Sequence, residues 1–279
     1  MNSQMKTALD LAYEPVALLR SNDKPEGARQ FKEKRWGCVM FMLAAAAMGK
    51  GDTAVLDRTT YGCWGGGVGL GFGNQYVNFP GGQEGFCYFL SSGNDQWETG
   101  RQVGEQIKPV FGDAFHDDFA KGERYMQSPE LVQAFIDELP IVDIPEKYVV
   151  FKPLSAVVEG DEKPEVVVLL GDMDQIAALT ILANYHRKTN DNVIFPFAAG
   201  CQSIGIHAFA EARRGQPRAV LGLNDISARL AIKRILKKDV MSFAAPYALY
   251  LEMEANLAGS FIERNTWRQL RALSEKKSS

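Results

Sequence analysis

The sequence predicts an α/β protein made of two pseudo-symmetric strand–helix–strand halves. Short aliphatic runs alternate along the chain with longer apolar stretches of helical length, the pattern of a sheet covered by helices. The same order of elements also occurs twice, and a repeated unit changes the reading of a whole fold. Residues 14–21 (Glu-Pro-Val-Ala-Leu-Leu-Arg-Ser) match residues 165–172, residues 43–48 match 181–186, and Val55-Leu56 matches Val193-Ile194. Gly62-Cys63 then matches Gly200-Cys201, and Gly82-Gln83 matches Gly215-Gln216 ahead of residues 86–90 and 219–223. The expected halves are residues 1–140, holding a glycine-rich loop, and residues 141–279, ending in a C-terminal helix, together forming one compact unit.

Each element has a local reason. Residues 5–12 read as a short helix leading into a strand at 14–20. Residues 36–48 are an apolar helix stopped by Gly49-Lys50-Gly51-Asp52. A strand at 53–56 precedes the glycine run, residues 86–91 read as a strand, and 95–108 as a helix ending at Pro109. Ser128 is an N-cap and Pro129 a first helical residue for 128–138. Pro140 and Pro145 mark the joint between the halves at 137–147. Strands follow at 148–152 and 165–170, then a helix at 173–187 that Asp172 can cap. Strands at 192–195 and 219–223, a helix at 225–237 and a C-terminal helix opened by Pro246 complete the chain, with Trp267 and Leu270 on a later helical face. Strand–helix–strand order predicts parallel pairing with right-handed crossovers.

The bulk properties narrow the function. At 279 residues and 46% hydrophobic content the chain can bury a sizeable core. A net charge of −3 gives no electrostatic footprint for nucleic acid. The basic clusters at 32–35 and at Lys233, Arg234, Lys237 and Lys238 read as solvated faces. No segment has the roughly 20 apolar residues that span a bilayer, and no membrane association is expected. Residues 39–48 behind a basic run imitate a signal peptide but lie behind a strand, so a cytoplasmic location is expected. Four cysteines in such a setting read as thiols or ligands rather than disulfides.

The cysteines carry the chemistry. Cys38 opens an apolar helix, where backbone N–H groups and the dipole lower a thiol pKa, with Lys34 and Arg35 adding to the effect. Cys63 opens a stretch in which Gly65, Gly66, Gly67, Gly69, Gly71 and Gly73 place six glycines in nine residues. Such a run lets backbone pass close to a ligand, although it has neither dinucleotide nor phosphate-loop spacing. Cys201 follows Gly200 as Cys63 follows Gly62. Cys87, inside an expected strand, reads as inert. Cys38, Cys63 and Cys201, with Cys87 or an outside group as a fourth ligand, point to a [4Fe–4S] cluster or, alternatively, zinc, though no C-x₂-C pair is present. His207 lies six residues beyond Cys201 as a structural histidine, ligand or proton donor. His116 reads as part of a solvated turn, and His186 as a helix-end cation. The absence of H-E-x-x-H, G-x-S-x-G and C-x-x-C-H disfavours zincin proteases, α/β hydrolases and c-type haem.

Glu14-Pro15-Val16, residues 35–38, Tyr61-Gly62-Cys63, Asp174-Gln175-Ile176 and Ala199-Gly200-Cys201 resemble the prokaryotic family called domain of unknown function 169, common in anaerobes and archaea. Leu221-Gly222, Ala228-Arg229 and Ala245-Pro246 extend the resemblance over most of the chain. It implies cysteines at 38, 63 and 201 but not at 87. Asp172-Met173 stands where members often have Asn-Pro. The resemblance implies no established activity.

These features lead to an expected redox or metal-binding protein of anaerobic metabolism, holding a cluster or metal through Cys38, Cys63 and Cys201. The alternatives are a small-molecule module whose loop 65–73, with Gly62 and Gly200, cradles a ligand, and a thiol redox protein in which Cys38 reacts and Cys63 or Cys201 resolves. A scaffold whose glycines and cysteines serve only close packing is the fourth reading. The substrate, redox partner and oligomeric state are open.

Overall fold

The computed structural model describes residues 1–33, 37–49, 52–236 and 239–278. It divides into two compact units, one made of Met1–Phe72 with Ile144–Ser279 and the other of Gly73–Asp143. Among the described residues of the first unit, the strands are β1 Val16–Ser21, β2 Ala54–Leu56, β3 Tyr148–Pro153, β4 Val166–Gly171, β5 Val193–Ile194, β6 Ala219–Gly222 and β7 Met241–Pro246. They form one seven-stranded sheet in the order β2-β3-β1-β4-β7-β6-β5. The α/β class predicted from the sequence is the class observed.

The expected parallel pairing is found only between β5 and β6 among the named strands. β1 lies antiparallel to both β3 and β4, β3 to β2, and β7 to both β4 and β6. The crossovers explain this. β1 and β2 run in the same direction, as do β4 and β6, but β3 and β7 are inserted between them as antiparallel partners, a split crossover. Strand β7 is not among the strands expected from the sequence; Pro246, expected to open a helix, is its last residue and the N-cap of the helix Tyr247–Ala255.

The halves do not repeat element for element, so the internal duplication is not confirmed. Residues 86–90, expected to match the strand at 219–223, lie in the helix Gly82–Leu90, whereas 219–222 is β6. Phe86, Phe89 and Leu90 fit either period, and this segment is set by an aromatic core within the second unit. There Phe79 packs on Phe86 edge to face at 5.4 Å, with Phe89 and Phe119 close by. The helix expected to stop at Pro109 is Glu98–Lys121, which contains Pro109 and has non-helical backbone at Gly112 (φ 82°). Ser128 caps Pro129–Glu138 through the Leu131 N–H, as expected.

In the first unit, one face of the sheet buries Ala17, Leu19, Val167, Leu169, Phe243 and Ala245 against Ile176, Leu179 and Leu182 of the helix Met173–Asn184. Asp172 caps that helix in a reciprocal capping box with Gln175. Gln175 also donates to the carbonyls of Leu9 and Asp10, tying the N-terminal segment down. The alternate residues Val16, Leu18, Val166 and Val168 are equally buried. The helix Val39–Ala47 contacts β1 and β3, and the helical run at 200–212 contacts β4, β6 and β7. Those two helices bring the cysteine segments to the sheet. The N-terminal limit expected for the first of them, Trp36, and the stop residues Lys50 and Gly51 lie outside the described residues, as do Lys237 and Lys238.

Candidate functional site

The glycine run expected as a loop is the helix Trp64–Gly69, with Cys63 as its N-cap. Its glycines serve backbone contact. A Cβ on Gly205 would sit 1.9 Å from the Gly69 carbonyl oxygen, and one on Gly69 would sit 2.7 Å from the Cys201 carbonyl carbon. The two helices therefore cross with main chain against main chain, which only glycine permits. At the other end, Gly62 has φ +80° and lies against the Gly37 carbonyl, where a Cβ would come within 2.2 Å. These approaches carry Cys63 toward Cys38 on one side and Cys201 on the other.

A cavity of about 370 Å³ lies at this junction. Cys38, Cys63, Gly65, Gly200 and Cys201 line it, together with Asp225. Further wall comes from Met40, Phe41, Ala228, Leu230 and Ala231, with Arg234 among the lining side chains. Gly62, Gly66 and Gly67, expected as binding residues, do not line it; they shape the turn and the helix behind it. Cys38, Cys63, Ala199 and Asp225 are the N-caps of four helices, starting at Val39, Trp64, Gly200 and Ile226. Four helix starts thus face one cavity, each with its partial positive charge.

Asp225 ties two of these starts together. Its carboxylate accepts the Gly200 N–H at 2.5 Å and the Ala228 N–H at 2.6 Å. Burial raises its pKa above the usual value although both N–H groups favour the charged form. In the sequence, Asp225 is only the first residue of the helix expected at 225–237. Its link to Gly200 and its place in the cavity had no signal in the spacing, and Arg234 was read as a solvated face.

The three thiols differ. Burial, and then the neighbouring Cys63, push the Cys38 thiol up to about 12, against the smaller opposing effect of the Met40 and Phe41 N–H groups. The expected low-pKa thiol at that helix start is therefore not found: desolvation exceeds the dipole. Lys34 and Arg35, expected to assist, lie outside the described residues. Cys201 is buried, its pKa is raised well above the ordinary value by that burial, and it donates to the Gly65 carbonyl at 3.1 Å. Cys63 instead accepts, from the Gly66 N–H at 3.3 Å.

The expectation of an iron–sulfur cluster or zinc on Cys38, Cys63 and Cys201 is overturned. Among the described residues no group of three or more His, Cys, Asp or Glu side chains is arranged to hold a metal ion. The redox function expected of that cluster or metal falls with it; all four cysteines are free thiols. Cys87 is buried in the helix Gly82–Leu90 rather than in a strand, and burial raises its thiol to about 11. His207 does not line the cavity; it ends the π-helical segment Ser203–His207, with Nε2 buried and unpartnered. His186, at the end of its helix, approaches Glu252 at 3.4 Å.

The fold and site define a class: a mixed α/β protein with a thiol-lined cavity where four helix starts meet. The family model for domain of unknown function 169, described as an uncharacterised ArCR, matches residues 4–256, and the chain belongs to that family. The matched span contains every residue lining the cavity. No curated protein and no solved structure matches the chain. Among the described residues no helix is long and apolar enough to cross a membrane.

Proposed function

We propose that this protein binds a small, largely apolar molecule in the cavity between Cys38, Cys63, Cys201 and Asp225. The observation that carries the reading is the cavity itself, about 370 Å³, with apolar walls and a few convergent polar groups. That size and lining are typical of small-molecule sites. It is assembled from four segments far apart in sequence, so the glycine contacts and the Asp225 clamp are spent on forming it. Gly65 and Gly200 contribute close-lying backbone, the thiols contribute soft and weakly polar wall, and Asp225 is the acid that faces the ligand. Thiols that stay reduced suit a cytoplasmic setting.

The test is a thermal-shift screen of five- and six-carbon ketones, carboxylic acids and thioesters against the wild type and Ala231→Phe, which fills the cavity. A ligand at about 100 times its Kd adds about 2.7 kcal/mol of stability, a shift the wild type should show and Ala231→Phe should lose. Shifts of equal size in both proteins, or none with any compound, would overturn the reading.

A further inference from the structure

The cavity has a feature that passive binding does not require: its three thiols are differentiated. Cys201 donates to the Gly65 carbonyl, a role open only to the protonated group. Cys38 is held protonated by its surroundings. Cys63 is only partly buried, and its sulfur accepts a backbone N–H, from Gly66 at 3.3 Å. A bond of that sense favours the thiolate, the nucleophilic form. Around it the wall is apolar, and the starts of the helices Val39–Ala47 and Ile226–Lys233 face the same space. Positive helix ends stabilise negative charge that develops on a bound carbonyl oxygen.

Resting on the binding reading above, we propose that the cavity takes small α,β-unsaturated carbonyl compounds and that Cys63 adds to them. In this step the Cys63 sulfur forms a bond to the β-carbon. The C=C electron pair moves onto the α-carbon and carbonyl oxygen as an enolate. The proton first carried by the Cys63 thiol ends on the α-carbon. Nothing leaves and nothing is oxidised or reduced, so no co-reactant is needed. Cys38 and Cys201 remain thiols, and Asp225 keeps the Gly200 and Ile226 helix starts aimed at the cavity.

The full chain is treated with 2-cyclohexen-1-one and the adducts are located by peptide mass spectrometry over time. In parallel, saturated cyclohexanone is tested by thermal shift. The expected result is a single adduct on Cys63, formed at least about tenfold faster than on Cys38, Cys87 or Cys201. It should be absent at the same times in Cys63→Ser and slowed about tenfold in Ala231→Phe. First labelling of any other cysteine overturns the proposal. So does unchanged labelling of Cys63 in Ala231→Phe, which would make it an ordinary surface thiol. If cyclohexanone shifts the wild type but no Cys63 adduct forms, the addition fails and the binding reading stands; if neither occurs, both fail.

Discussion

The Cys63 sulfur accepts a backbone N–H while the Cys201 thiol gives its proton to a carbonyl, and Cys38 sits between helix start and apolar wall. Cysteine at a helix N-terminus was expected to be acidic, and at Cys38 burial wins instead. The sign follows directly. An acid whose pKa is raised on folding, here from 9.0 to about 12, binds more protons in the native state between those values. Its neutral form costs nothing below pH 9, and stability is lost as pH rises from about 9 to about 12, by up to about 1.4 kcal/mol per pH unit. Urea unfolding at pH 8.5 and 10.5 should therefore show a smaller alkaline loss in Cys38→Ala than in the wild type. Equal losses would mean that Cys38 ionises as readily folded as unfolded.

At the scale of elements, the cavity depends on helices that approach more closely than side chains allow. Trp64–Gly69 meets the run at 200–212 at Gly69 and Gly205, where any Cβ on Gly205 falls inside the Gly69 carbonyl. Gly205→Ala must push the two helices apart. We expect a loss of about 1–3 kcal/mol or more in denaturant unfolding, the usual cost of overpacking. Slower enone labelling of Cys63 should accompany it as its cavity opens. An unchanged unfolding midpoint would show that the helices have slack at this crossing. The glycines were visible in the sequence as a place of close approach; that what approaches is another helix, rather than a ligand, was not, because the partner glycine lies more than a hundred residues away.

For the whole molecule, the second unit, Gly73–Asp143, is inserted in the chain of the first between Phe72 and Ile144. Within the first unit, the Ile144 N–H donates to the Gly71 carbonyl at 2.8 Å; within the second, the Gly73 N–H donates to the Val142 carbonyl at 3.1 Å. Chain ends held this close are the usual condition for tolerated insertion and removal of a unit. A chain in which Phe72 is joined to Ile144 by a short glycine linker is expected to keep the seven-stranded sheet. Circular dichroism and a single cooperative urea transition check it, and a non-cooperative transition would show that the sheet needs the inserted unit.

Local chemistry in the chain was enough for the α/β class, for most strands and for the caps. Val166 to Leu170 is apolar throughout, Asp172 precedes a helical period with Gln175 three residues on, and Ser128-Pro129 is a start signal on its own; each acts through neighbours within one turn or one strand. The thiol site was half legible, because Gly-Cys at 62–63 and 200–201 marked the right segments but not the chemistry between them. Strand pairing, the helical state of residues 82–90, the protonation of Cys38 and the partnership of Asp225 with Gly200 were not legible. Each depends on groups distant in sequence and on how far water is excluded, and desolvation is a property of the packed structure rather than of any local run of residues.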